Sequence, residues 1–71
     1  LHEYNANISF FENSIQYLSS DGIYIIEDIF YKDIKKFKKY FKNSKYNFSI
    51  IELYHTKNIA NNCLIKITKN G

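Results

Sequence analysis

Arginine is missing from this chain of 71 residues: all ten basic side chains are lysine. The planar guanidinium that reads phosphates and base edges two bonds at a time is therefore not available, which argues against a sequence-reading nucleic-acid protein. Proline is absent as well, glycine occurs twice and cysteine once. The lone cysteine, Cys63, excludes an internal disulfide, and no Cys/His cluster has zinc-ligand spacing. No apolar run approaches the roughly 20 residues of a membrane-spanning helix, and the opening residues do not read as a secretory signal. A free cysteine fits a reducing cytoplasm, the expected location. The sequence also lacks a glycine-rich phosphate loop, an internal repeat and any low-complexity segment.

What is present is apolar and aromatic. Hydrophobic residues make up 45% of the chain, with seven tyrosines and six phenylalanines, a folding composition rather than a disordered one. A domain of roughly 60 residues buries only about 60% of the surface its unfolded chain exposes. Small chains usually compensate with disulfides, a structural metal or association. None of the covalent or metal stabilisers is legible here, so the missing support is expected from further chain, and the sequence is read as a fragment of one domain. The net charge of +3 accompanies a richness in Lys, Asn, Ile and Tyr that fits AT-rich coding bias better than a selected basic surface.

Periodicity divides the chain into five elements. Ile8, Phe11, Ile15 and Leu18 recur at helical spacing, with Phe10, Ser14 and Tyr17 widening the face, and predict a helix over about 4–20. Gly22 offers a left-handed cap or a turn after it. Ile23-Tyr24-Ile25-Ile26 runs without alternation and predicts a strand over about 23–28 covered on both faces, as in a parallel sheet flanked by helices. Phe30, Ile34, Phe37 and Phe41 mark the buried stripe of a helix over about 31–43, with lysines filling the other faces. Strands follow over about 47–55 and 62–69, the second with Cys63, Ile65 and Ile67 alternating against Leu64, Lys66 and Thr68. The helix between the first two strands makes them parallel. The short polar connection before the third makes it antiparallel. The fold class expected is α/β, ordered helix-strand-helix-strand-strand.

The stretch LHEYNANISFFENSIQYLSSDGIYIIEDI, together with that element order, resembles the C-terminal half of class I S-adenosylmethionine-dependent methyltransferases. The sharp match covers Leu1 to Ile29 and is to a branch acting on sugars and natural products, in which an Asp-Gly-x-His segment precedes a helix and a GG-x-[YV]-[VI]-I-E-D strand follows it. Leu1-His2 would be the tail of the first motif, and Asp21-Gly22 stands where the family often has Gly-Gly. The resemblance implies a Rossmann-like sheet, parallel except for its last strand, which inserts as an antiparallel partner. The strands from Ile23, Asn47 and Cys63 would be its fifth, sixth and seventh. It also implies a cofactor loop far upstream, so this chain alone is expected to bind no S-adenosylmethionine and to be inactive.

Glu27-Asp28 is the strongest site signal. In open α/β sheets ligands bind outside the carboxyl ends of strands, and this pair ends an apolar one. Neighbouring residues of a flat strand point to opposite faces, so both carboxylates reach one ion only where the chain turns off the sheet. Hard divalent ions take carboxylate oxygens. The resemblance implies that Glu27 and Asp28 bind Mg²⁺ with the Asp of Asp-Gly-x-His as third ligand; the plain alternative is that one of them caps the helix beginning near Tyr31. For His2 the resemblance implies a general base drawing a proton from a substrate hydroxyl, which an imidazole with a pKa near 6.5 does well near neutral pH; the alternative is an exposed side chain. The lysines of the second helix read as a solvated face, and His55 and Cys63 as loop or core filler.

The function expected is methyl transfer from S-adenosylmethionine to a hydroxyl of a sugar or small metabolite, assisted by Mg²⁺, with no membrane partner, nucleic acid disfavoured and a homo-oligomer left open. The rival is a small basic α/β module, not an enzyme, that binds nucleic acid or a protein.

Overall fold

A computed structural model describes residues 3–52 and 63–69. The protein is a small α/β domain of two helices and a three-stranded sheet. Helix α1 spans Tyr4–Ser14 and runs into a 3₁₀ turn over Ile15–Tyr17; strand β1 spans Ile23–Ile29; a second 3₁₀ turn over Tyr31–Asp33 leads into helix α2 at Ile34–Lys42; strands β2 and β3 span Asn47–Glu52 and Cys63–Thr68. The first helix is shorter than the apolar spacing predicts. The Ser14 hydroxyl lies 2.6 Å from the Phe10 carbonyl and 2.8 Å from the Tyr24 phenol. A serine bonded back onto its own helix and outward to a strand competes with regular helix continuation, and Leu18 is already extended at φ −77°, ψ 135°. Phe10 and Tyr17, expected to widen the buried face, are exposed instead. Gly22 has no positive φ and makes no left-handed cap. It closes a turn by donating its N–H to the Ser19 carbonyl, and a Cβ there would meet the Leu18 side chain at 2.7 Å, so a larger residue would have to displace that side chain.

The sheet order is β1-β3-β2. The last strand inserts between the first two and is antiparallel to both, so β1 and β2 run in the same direction without touching. Strand alternation then sorts the side chains. Tyr24 and Ile26 of β1, Phe48 and Ile50 of β2, and Cys63, Ile65 and Ile67 of β3 turn toward the helices and join Phe11, Ile15, Ile34, Phe37 and Phe41 in one core. Phe11 meets Tyr24 edge-on at 5.1 Å, and Phe41 meets Phe48 at 5.8 Å, so both helices cover the same side. α2 behaves as its stripe predicts: Ile34, Phe37 and Phe41 are buried and the lysines point out.

The other side of the sheet carries no described element. Ile23 and Ile25 of β1 are half exposed, and Ile51 of β2 is exposed as well, which corrects the expectation that β1 is covered on both faces. Four apolar residues in a row look alike whether the outer face is covered or bare, and here no described element covers it. β2 is described to Glu52 and β3 from Cys63, so the expected strand ends at 53–55 and 62 lie outside the described residues.

Candidate functional site

The carboxyl end of β1 is irregular in a way that bears on its two acids. Ile26 pairs with Ile65 and Ile29 with Cys63, so three steps on β1 match two on β3. One residue is extra, which defines a β-bulge. Its backbone signature is Asp28, at φ 55°, among the described residues the one non-glycine with positive φ. Aspartate is among the few L-residues that tolerate this region, because its short carboxylate bonds locally. The bulge serves the core: Ile26 and Ile29 are three apart and would face opposite sides of a regular strand, yet both are buried, at 4% and 0% exposure. The extra residue resets the phase of Ile29 and leaves Glu27 and Asp28, both exposed, where the chain leaves the sheet.

The bulge puts both acids where the chain leaves the sheet, the part of a strand where alternation no longer forces neighbouring side chains to opposite faces. The N-cap of the following turn is Phe30 and that of α2 is Asp33, so neither acid occupies an N-cap position. Among the described residues no group of three or more Asp, Glu, His or Cys side chains could hold a metal. Glu27 and Asp28 are therefore a partial donor set, which fits a hard cation only if further oxygen ligands come from elsewhere. His2 lies outside the described residues, as does His55.

No family model matches this chain, and no curated protein or solved structure does either. The site thus stands on its own residues and on the motif resemblance.

The remaining polar groups are structural. Asp33 is buried against Lys36, 3.8 Å away across the first turn of α2. The Tyr40 phenol donates to Glu12 at 2.5 Å and links α2 to α1. Burial first, and that bond second, push the Tyr40 phenol well above the usual tyrosine range. Cys63 is in the core, as expected, where burial and then the Glu52 charge raise its thiol. The Tyr40–Glu12 pairing has no sequence signal, because it joins residues 28 apart in the chain. The bulge has one: two isoleucines three apart at the end of an apolar strand, with two acids between them. No described helix is long and apolar enough to cross a membrane.

The left-handed backbone at Asp28 makes a stability prediction with an internal control. Valine is β-branched and poorly tolerated at positive φ, so Asp28→Val is expected to be less stable than Asp28→Gly by about 1–2 kcal/mol. At Glu27, one residue earlier and without positive φ, the order reverses, because valine suits a strand and glycine weakens it. Urea titrations of the four variants check this. The same order at both positions would mean that Asp28 does not hold the bulge.

Proposed function

We propose that this chain forms the C-terminal part of a class I methyltransferase domain that moves a methyl group from S-adenosylmethionine to a hydroxyl of a sugar or small metabolite, with Mg²⁺ at Glu27 and Asp28. The observation that carries the reading is the end of β1: an acidic pair turned off the sheet by a bulge, on a strand beside which the last strand is inserted antiparallel. Both features are what the motif resemblance implies. Among the described residues no element covers the outer face of the sheet and no strand pairs with the far edge of β1, which adds to it, since a sheet with helices on one side only is incomplete for an α/β architecture.

In this reading the protein's own residues divide the task. Glu27 and Asp28 supply two oxygen ligands, and a carboxylate from the Asp-Gly-x-His motif supplies the third. His2, at the end of that motif, takes the proton from the substrate hydroxyl. When bound, the metal polarises that hydroxyl and orients it. The chain holds no glycine-rich loop, so its residues do not form the S-adenosylmethionine site, and the methyl donor is held by other parts of the domain.

The coding sequence upstream of Leu1 is the first place to test this. An in-frame Asp-Gly, with a glycine-rich loop following a strand further upstream, supports the reading; a start codon directly before Leu1 sinks it in favour of the small binding module. In the longer protein, Glu27→Gln and Asp28→Asn are each expected to lower Mg²⁺-dependent transfer of labelled methyl groups to hydroxyl acceptors by about a hundredfold or more, beyond the 10–100-fold typical of groups that only support metal ligands. Transfer that survives both substitutions and chelation of divalent ions would remove the metal from the proposal.

A further inference from the structure

Among the described residues strand β2 is an edge. In the order β1-β3-β2 it pairs with β3 on one side, and no described strand pairs with the other. An antiparallel strand directs alternate residues' N–H and C=O groups away from its partner, so this edge offers a row of backbone donors and acceptors. Natural edges are usually blunted by lysine, proline or a bulge. β2 has none of these: its sequence is NFSIIE, and its six pairs with β3 run without a register shift.

What lies beside the edge gives it a chemistry. A groove of about 570 Å³ runs between β2 and α2, with Ile34, Phe48 and Ile50 on its apolar floor, Lys38 and Lys42 on its rim and Glu52 at one end. Lys38 and Lys42 are exposed, and neither is paired with a carboxylate among the described residues. Four residues apart on α2, they share one face and are separated by about 6 Å of helix rise.

We infer that the outer edge of β2 is a docking site for an extended, acidic peptide segment that adds to the sheet as a further strand. Main-chain bonds to the edge supply attraction without regard to sequence, and alternate side chains supply the selectivity. Residues two apart on a strand are about 6.6–6.8 Å apart, close to the spacing of the two lysines. The guest residues facing α2 meet both the apolar floor and the rim. Glutamate suits this position, with its methylene stem on Phe48 and Ile50 and its carboxylate toward Lys38 or Lys42. The intervening residues fall beside Ser49 and Ile51 on the open face, where a β-branched side chain fits. The inference does not depend on the methyltransferase reading, which concerns the opposite edge and the end of β1.

The test uses the full chain and a fluorescently labelled, capped peptide alternating valine and glutamate. Saturable binding is expected, weakened by added salt and reduced at least about tenfold by combined Lys38→Glu and Lys42→Glu, since like charges facing each other oppose docking. These side chains are exposed, so the variant is expected to fold, which circular dichroism checks. Hydrogen exchange is expected to slow at β2 amides on peptide addition while β1 amides are unchanged. Equal binding of a valine–lysine peptide, or protection at β1 in place of β2, would overturn the inference. So would concentration-dependent protection of β2 without peptide, which would give the edge to a second copy of the chain.

Discussion

Phe11→Ala should leave this chain without a cooperative thermal transition. Phe11 is 1% exposed and meets Tyr24, Tyr40, Phe41 and Tyr46 edge-on, at centroid distances of 5.1, 6.4, 5.1 and 5.5 Å. It is the one ring that joins α1 to β1, to α2 and to the segment entering β2. Removing a buried phenylalanine costs about 3–5 kcal/mol, because the transfer energy of the ring and the cavity left behind add. Each favourable aromatic pair lost adds about 0.5–1.5 kcal/mol. At 0.05–0.15 kcal/mol per residue, the net stability of a chain this size is roughly 4–10 kcal/mol, so one substitution removes most of it. Phe10→Ala is the control: the adjacent ring is 60% exposed, and its loss should change stability by no more than about 0.5 kcal/mol. Thermal melts followed by circular dichroism separate the two. Similar melts for both variants would show that the core is not organised around Phe11.

The legible parts of the fold were those where one periodicity had no competitor. Ile34, Phe37 and Phe41 fit only a helix, and Cys63, Ile65 and Ile67 fit only a half-buried strand, and both behave so. The end of α1 was not legible, because it is set by Ser14 meeting Tyr24, ten residues on, and propensity carries no trace of a tertiary contact. The burial of β1 was misread because an apolar run does not state which of its faces is covered. Ile23 and Ile25 are as hydrophobic as Ile26, and only the position of the helices separates them. At the site, the acidic pair and its place at a strand end could be read directly. The bulge that turns the pair off the sheet could have been inferred from Ile26 and Ile29, which must both face inward. The groove beside β2 could not, since it exists only because β3 lies in the middle of the sheet and leaves β2 at its edge.

The aromatic richness that builds the core also gives the protein an alkaline limit. Tyr40 donates to Glu12 from a partly buried position, and burial, that bond and the Glu12 charge all hold its proton. Tyr4 is raised by burial and then by Glu12, and Cys63 by burial and then by Glu52. In each case the folded protein keeps a proton that the unfolded chain releases at its ordinary value, near 10 for tyrosine and 9 for cysteine. Above those values the folded state binds more protons than the unfolded one, so stability falls as pH rises. The contribution is fully present below about pH 9 and disappears as the pH climbs toward the raised folded-state values. The urea midpoint is therefore expected to stay level from neutral pH to about 9 and then to drop steeply. The part of the tyrosinate absorbance that Tyr40→Phe removes should appear together with unfolding and not before it. Tyr40→Phe removes the group with the largest upward shift while keeping the ring against Phe11 and Phe41. It should start less stable at neutral pH, through loss of one charge-assisted bond worth about 1.5–3 kcal/mol when buried and less at an exposed carboxylate, and lose less on the alkaline side. A midpoint that holds steady while the Tyr40-dependent part of the tyrosinate absorbance rises would mean that this phenol ionises within the folded protein, and that neither burial nor Glu12 retains its proton.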